Sequence, residues 1–533
     1  MGERPDEAGF DAVDLELALG TFQALVEEMG VSLVRSARSA NIKERRDTST
    51  ALFDGAGELV VQAEHIPVHL GALPASVAAV AGHPQRPGDV WILNHPYAGG
   101  THLPDVTMVS PVFAGGELRG FVANRAHHAD IGGARPGSMP AGARTLFEEG
   151  LVLPPVRLVA AGEERSDILA LILANCRRPE ERQGDLRAQA AALALGVRRL
   201  AEIEAARGTG YLARAMREVQ EYSLRRVRAA LADLPPGSYE GEDALEGDGV
   251  VDVPVPIRAR VEVSREGLVF DLTHSAPEVA GNLNCPRAVT VSACLFVARC
   301  LLDPSPLGAA GCARVTRVVT RPGTVVDARP PRAVAGGNVE TSQRIVDTVL
   351  AALGEPLGLP AASQGTMNNL VIGNETFSYY ETMAGGGGAA AEGPGADAVH
   401  SAMTNTLNTP VEAIERDFPL EVLRYELREG SEGGGRNPGG RGLIRSFRVL
   451  EPATMSFLAD RQRVGPPGRA GGGAGAPGRC SVNGAPVPGK TEMRLAAGDV
   501  VTVETPGGGG WGAPETIDST GVGQRITALS VEP

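Results

Sequence analysis

No run of lysine or arginine interrupts this 533-residue chain, whose net charge is −14. Nucleic-acid binding needs a clustered positive footprint, so the sequence argues against it; the acidic surface mainly favours solubility. None of the six cysteines (Cys176, Cys285, Cys294, Cys300, Cys312 and Cys480) forms a CxxC pair. That argues against a thiolate zinc site and for free thiols in a reducing compartment. No apolar run reaches the ~18 residues that a membrane helix needs. The polar start MGERPDEAGF does not read as a signal peptide. The expectation is a soluble, cytoplasmic protein. There is no GxSxG nucleophile elbow. GAGAPG (473–478) matches GxGxxG by letter, but it lies in a glycine-rich loop and opens no helix. No fixed-period repeat is present.

What is present is an ordinary apolar content of 43% and an unusual glycine content, 69 residues, much of it after Gly385. The C-terminal third is therefore expected to be rich in turns and close backbone approaches. Length alone suggests three or four core-forming units. Apolar spacing predicts a helix over 12–38 and a helical hairpin over 183–232, broken at the GTG of 208–210. ALFDGAGELVVQ reads as a β-hairpin, and VWILNHPY, DVTMVSPVF and LRGFVANRAHH read as strands. Residues 239–275 alternate like antiparallel strands. AVTVSACLFVARCLL is a buried helix or strand, and VETSQRIVDTVLAAL is an amphipathic helix. The expected class is α+β: mixed, with mostly antiparallel sheets, a helical hairpin and a glycine-rich, β-rich C-terminal part. The expected divisions are 1–235, holding the candidate site and the hairpin, an antiparallel β module over 236–330, and the glycine-rich part over 331–533. Thr409 is a plausible N-cap for a helix starting at Pro410, with Glu412 completing a capping box. Gly385–Gly388 reads as a flexible or tightly turned loop in preference to an anion cradle.

The histidines are concentrated. Seven of nine (His65, His69, His83, His95, His102, His127 and His128) lie between 65 and 128. Within NHPYAGGTHLPDVTM (94–108), the His-x-x-Asp of His102 and Asp105 can aim an imidazole and a carboxylate at one point, and His127, ending a strand, can supply a third ligand. Two imidazoles and a carboxylate suit zinc, manganese or ferrous iron and leave positions open for water or substrate. The competing reading is structural, because HxxD is short and histidine pairs also satisfy buried carbonyls. His128 and Asp130 lie alongside. Arg125 can hold a carboxylate or phosphate, although an arginine in a strand more often faces solvent.

Ten segments carry a resemblance that runs in order through nearly the whole chain. Among them are NIKERRDTSTALFD (41–54), AEHIPVHLGALPASV (63–77), NHPYAGGTHLPDVTMVSPVF (94–113), HHADIGGARPGSMP (127–140), AVAGGNVETSQRIVD (333–347) and TPGGGGWG (505–512). The chain resembles a hydantoinase B/oxoprolinase family subunit. The resemblance implies ATP-dependent hydrolysis of a cyclic amide (a hydantoin, 5-oxoproline or another lactam). It also implies a separate hydantoinase A-type partner that holds ATP and Mg and phosphorylates the substrate. Related ketone carboxylases imply a divalent ion, Zn or Mn, on His102, Asp105 and His127, with His128 as an alternative third ligand. In that setting His128 or Asp130 is expected to move a proton, with a ligand-orienting role for Asp130 as the alternative, while Arg125 and His95 are expected near substrate. His95 departs from the family pattern, which usually reads Asn-Asp-Pro-Tyr where this chain has Asn94-His95-Pro96-Tyr97. Two further readings stay open: one component of an ATP-dependent ketone carboxylase, and a non-catalytic protein that stabilises its A-type partner.

Overall fold

The computed structural model describes residues 10–64, 66–305 and 308–514. His65, one of the clustered histidines, lies outside them. The first sheet is built from β1 (Thr48–Asp54), β2 (Leu59–Glu64), β3 (Val90–Leu93), β4 (Asp105–Ala114), β5 (Glu117–His127), β6 (Val156–Ala160) and the short β7 (Glu163–Glu164). Their spatial order is β2-β1-β5-β4-β3-β6-β7, with every neighbouring pair antiparallel.

The central strands are apolar on both sides because both faces of this sheet are covered. Leu52, Val106, Met108 and Val122 pack with Phe22, Val26 and Met29 of the Ala12–Ser36 helix and Leu186 and Leu193 of the Pro179–Arg207 helix. Alternate residues Ala51, Phe53, Val109, Phe121 and Ala123 pack with Leu73, Val77 and Val80 of the Ala72–Ala81 helix. Adjacent positions on one strand therefore face different helices. The Ala12–Ser36 helix is long and apolar enough to cross a bilayer, contrary to the expectation that no segment would be. Its apolar stripe (Leu19, Phe22, Val26, Met29, Leu33) is buried against the sheet and the Pro179–Arg207 helix, as in a core helix. The hairpin forms as expected from Pro179–Arg207 and Tyr211–Asp233, with Gly208 and Gly210 at φ 96° and 86°, where glycine costs least.

The second sheet, β8 (Gly237–Leu245), β9 (Val255–Val263), β10 (Leu268–Asp271) and β11 (Thr316–Val319), has the order β11-β10-β9-β8, and only β10–β11 is parallel. Its inner face shares one apolar core with the helices Arg287–Leu302 and Ser342–Leu357. The run AVTVSACLFVARCLL resolves as helix, with Val289, Ala293, Val297 and Leu302 all buried. Two further sheets follow. One has the order β13-β12-β16-β19 and the other β14-β15-β20-β17-β18, using β12 (Asn369–Gly373), β13 (Ser378–Glu381), β14 (Leu420–Arg428), β15 (Gly442–Val449), β16 (Ala453–Leu458), β17 (Arg479–Val482), β18 (Ala485–Val487), β19 (Lys490–Leu495) and β20 (Val500–Glu504). The class is mixed α+β with mostly antiparallel open sheets.

Thr409 is not the helix cap. The helix is Val411–Asp417, Pro410 sits at the cap position, and no side chain caps it. The Thr409 amide donates to Glu381 Oε1 at 3.0 Å, and Glu381 in turn pairs with buried Arg445 at 3.1 Å. A tertiary contact thus takes the residue that local pattern assigned to the cap.

The glycine-rich segments are close-packed. Gly387, Gly440, Gly508 and Gly433 form a ladder across separate segments: Gly440 N–H donates to Gly387 O at 2.8 Å, Gly508 N–H to Gly440 O at 2.9 Å, and Gly433 N–H to Gly508 O at 2.9 Å. A Cβ on Gly508 would lie 1.9 Å from Gly387 O, and one on Gly440 would lie 1.9 Å from Ala396 O. Glycine is required here for space, not for an unusual φ. Gly508→Ala should therefore destabilise the protein by about 1–3 kcal/mol or more, the range for overpacking. Gly393→Ala, where a Cβ meets nothing within 4 Å, should leave the thermal midpoint near wild type; equal midpoints for the two variants would refute the packing argument.

Candidate metal centre

His102, Asp105 and His127 come together through strand register. Asp105 opens β4 and lies directly opposite His127, the last residue of β5. Side chains directly opposite on one face of an antiparallel pair are in contact range. His102 joins them from the turn before β4, where the Asp105 amide donates to His102 O at 3.1 Å. Asn94 fastens the loop that carries it: its amide donates to Leu103 O and Leu151 O, and its Oδ1 accepts from the Leu153 amide at 2.7 Å. A Cβ on Gly100 would lie 2.5 Å from Asn94 O, so the glycine permits this close fold.

The converging atoms are His102 Nε2, His127 Nδ1 and Asp105 Oδ1. Each nitrogen is 3.1 Å from the oxygen, and the nitrogens are 3.2 Å apart. All three residues are buried. Ligand atoms around an ion with bonds of about 2.0–2.2 Å sit roughly 3.0–3.5 Å from one another, so the spacing fits a divalent ion of zinc or manganese size. The donor chemistry fits as well: two imidazole nitrogens and a carboxylate oxygen face one point, the ligand types such an ion takes. The other ring nitrogens, His102 Nδ1 and His127 Nε2, are buried without a hydrogen-bond partner among the described residues.

Asp105 Oδ2 points away from the cluster toward Thr101, whose hydroxyl donates to it at 2.5 Å, and toward His69 Nε2 at 3.5 Å. His69 belongs to the histidine-rich set, but no local motif gives it a role. It sits in the Pro67–His69 turn, and its Nδ1 contacts Ser49 Oγ at 2.9 Å. Burial alone would raise the Asp105 carboxyl. The neighbouring imidazoles of His102, His127 and His69 outweigh burial and hold it well below the usual carboxylate range. Burial pushes His127 down, against the pull of Asp105.

The remaining candidates lie elsewhere. His128 is adjacent to His127 in sequence but faces the opposite side of the sheet. Its Nε2 meets Gln189 Oε1 at 2.8 Å on the Pro179–Arg207 helix, so the structure does not bring it to the three ligands as an alternative. Burial, followed by the charge of Arg182, pushes His128 down to about 3. Asp130 is occupied in holding its own loop: it accepts from the amides of Gly132, Gly137 and Arg177 and pairs with the Arg177 guanidinium at 3.1 Å. Arg125 does not face solvent. It is fully buried on the His127 face, donating to Thr107 Oγ1 and Ser76 Oγ at 2.7 Å and to Gly99 O at 3.2 Å. Burial lowers it to about 10, opposed by the Asp105 charge. It therefore fastens the His102 loop to the sheet and the Ala72–Ala81 helix. His95 is half-buried, and its Nδ1 accepts from the Tyr97 amide at 3.1 Å, capping the Pro96–Ala98 turn. A carboxylate oxygen at this position would accept the same bond, so the turn does not require histidine.

The chain belongs to the hydantoinase B/oxoprolinase family, whose model matches residues 11–514. It is 37% identical over 537 residues to 5-oxoprolinase 1 of Arabidopsis thaliana, covering 94% of this chain but 42% of that longer one, so it spans about two fifths of that relative's length. It is 30% identical to the B-type component of a putative D-/L-hydantoinase from a Pseudomonas strain, covering 95% of this chain and 90% of that one. Among solved structures, an ATP-dependent caprolactamase from Pseudomonas jessenii superposes with a TM-score of 0.87 at 27% identity, over 95% of this chain and 91% of that one.

These environments can be tested at two histidines. His95→Asp should keep the turn and its stability, whereas His95→Ala should cost about 0.5–2 kcal/mol; equal urea midpoints for the two would show that the cap contributes nothing. An unfolded His128 takes up a proton below its ordinary value of 6.5, whereas the folded one resists down to about 3. Stability should therefore fall as pH drops through that window. At pH 4.5 this one residue should account for about 2–3 kcal/mol. His128→Gln should lose less stability than wild type between pH 7 and 4.5 in urea titrations, and parallel losses would refute the assignment.

Proposed function

We propose that this chain is the metal-bearing, B-type component of an ATP-dependent enzyme that hydrolyses a cyclic amide, acting on a substrate phosphorylated by a separate hydantoinase A-type partner that holds ATP and Mg. The buried His102–Asp105–His127 cluster carries this reading, because three ligand atoms at ion-sized spacing beside an orienting shell are the minimum for metal-assisted hydrolysis. The likeness to a caprolactamase and to a hydantoinase component supports the substrate class and the need for a partner. In this reading His102, Asp105 and His127 hold one Zn or Mn ion. When bound, the ion supplies Lewis acidity and lowers the proton affinity of water at neutral pH.

The chain's own residues do the rest. Asp105 offers Oδ1 as a single-oxygen ligand because Thr101 and His69 engage Oδ2. Metal ligation requires imidazole in its neutral form, and burial favours that form at His127. Arg125 pins the carbonyl of Gly99, and with it the loop that positions His102. His95 shapes the same loop at its solvent side, where a substrate would approach. His128 and Asp130 support the strand end and the loop after it, His128 through Gln189 and Asp130 through Arg177.

The test begins with elemental mass spectrometry of the purified chain. Near one Zn or Mn per chain is expected in wild type, lost in His102→Ala and in His127→Ala. With an A-type partner present, cyclic amides should elicit ADP release and ring opening, and both variants should lower ring opening by more than about 100-fold, beyond the usual loss for an outer-shell residue. A wild-type chain that holds no stoichiometric ion under conditions retaining weakly bound metals would sink the metal reading. Full activity in the variants would instead favour a structural role beside the A-type partner.

A further inference from the structure

A ligating imidazole usually donates its second ring nitrogen to a carboxylate, carbonyl or water, and that bond fixes the plane of the ring. Among the described residues His127 has no such partner. Its Nδ1 faces Asp105 and His102, and its Nε2 is buried without a hydrogen bond. The ring instead lies flat against Tyr380, with centroids 4.6 Å apart and planes 15° from parallel. Tyr380 is buried in β13 and is itself held at several points. Its hydroxyl donates to Asn369 Oδ1 at 3.0 Å, and its carbonyl accepts from Arg45 Nη1 at 3.2 Å. The Arg45 guanidinium lies 4.7 Å from the ring centre. Asn369 is fixed in turn, donating to Glu340 Oε1 and to Leu458 O, each at 3.0 Å. Glu340 also accepts the amides of Met367 and Asp460.

We propose that Tyr380 is a positioning residue that sets the plane of His127 by stacking, in place of the missing hydrogen bond. The metal centre is then shared between distant parts of the chain. All three ligands come from residues 102–127, and the surface that orients one of them comes from β13, more than two hundred residues later. An aliphatic side chain can fill the same space, but only a flat face restricts the tilt of the imidazole. This inference rests on the metal reading above, and its test separates the two.

The full-length chain is compared with Tyr380→Leu, Tyr380→Met and Tyr380→Phe for zinc affinity, by competition with a chromophoric chelator, after thermal midpoints show each variant folded. Tyr380→Leu and Tyr380→Met should bind zinc about 10–100-fold more weakly, the usual effect of losing an orienting contact. Tyr380→Phe, which keeps the ring face and loses only the bond to Asn369, should stay within roughly threefold of wild type. In protein carrying 13Cε1-labelled histidine, the His127 resonance, assigned by its loss in His127→Ala, should be displaced upfield by the tyrosine ring, metal bound or not. The displacement should persist in Tyr380→Phe and disappear in Tyr380→Leu. Wild-type affinity in the folded Leu and Met variants would overturn the proposal. So would the absence of upfield displacement in wild type, which needs no Tyr380 variant. A wild type that binds no zinc but shows the displacement would sink the metal reading while upholding the stack.

Discussion

The pairing of Asp105 with His127 across β4 and β5 is the contact on which the candidate centre depends. A carboxylate with about 1% of its surface exposed is costly to keep ionised unless charges and donors surround it. Here the surroundings come from three separate pieces of chain: the Pro67–His69 turn, the loop before β4 and the end of β5. None of these groups can satisfy Asp105 unless the sheet is in register and the loop is closed. Register is specified by buried polar residues on each face, because a one-residue slip would carry Asp105 and Arg125 away from His127, Thr107 and Ser76, and Asn124 away from Gln189. The packing that makes the fold therefore also brings the three ligand atoms together.

The C-terminal part adds constraint from the other side. Glycine segments from four regions lie in direct backbone contact, where any side chain would collide with a carbonyl. Buried Arg344 joins Asp243 of β8, Asp347 of its own helix and Asp460 after β16, and Arg461 bridges Asp243 and Asp347 again. Such buried ion networks add little net stability but are intolerant of misplacement. They fasten the second sheet to the C-terminal sheets. Strands β12 and β13, which hold Asn369 and Tyr380 against the centre, are thereby tied to the rest of the molecule.

Much of this was legible in the residues. The helical hairpin, the β1–β2 hairpin, the strands flanking the histidine-rich loop and the His-x-x-Asp pair with His127 all follow from spacing, turn chemistry and the family resemblance. The misassignments have specific physical causes. Thr409 looks like a cap by local pattern, but Glu381 takes its amide. Arg125 looks exposed on base rates for strands, yet it lies in a sheet covered on both faces and donates to Thr107, Ser76 and the Gly99 carbonyl. His69 stood out only as one member of a crowded set, because its link to Asp105 crosses thirty-six positions and carries no local signature.

The sequence by itself determined the periodicities, turn glycines such as Gly208 and Gly210, and the His-x-x-Asp spacing that lets one turn present two ligands. Those are local properties, set by backbone geometry over a few residues. It did not determine which of His127 and His128 would reach the metal position by that geometry alone, because neighbours on a strand point to opposite faces and the choice depends on what packs against each face. Tertiary structure decided that. The Ala72–Ala81 helix, His69 and Tyr380 took the side of His127, and the Pro179–Arg207 helix with Gln189 took the side of His128.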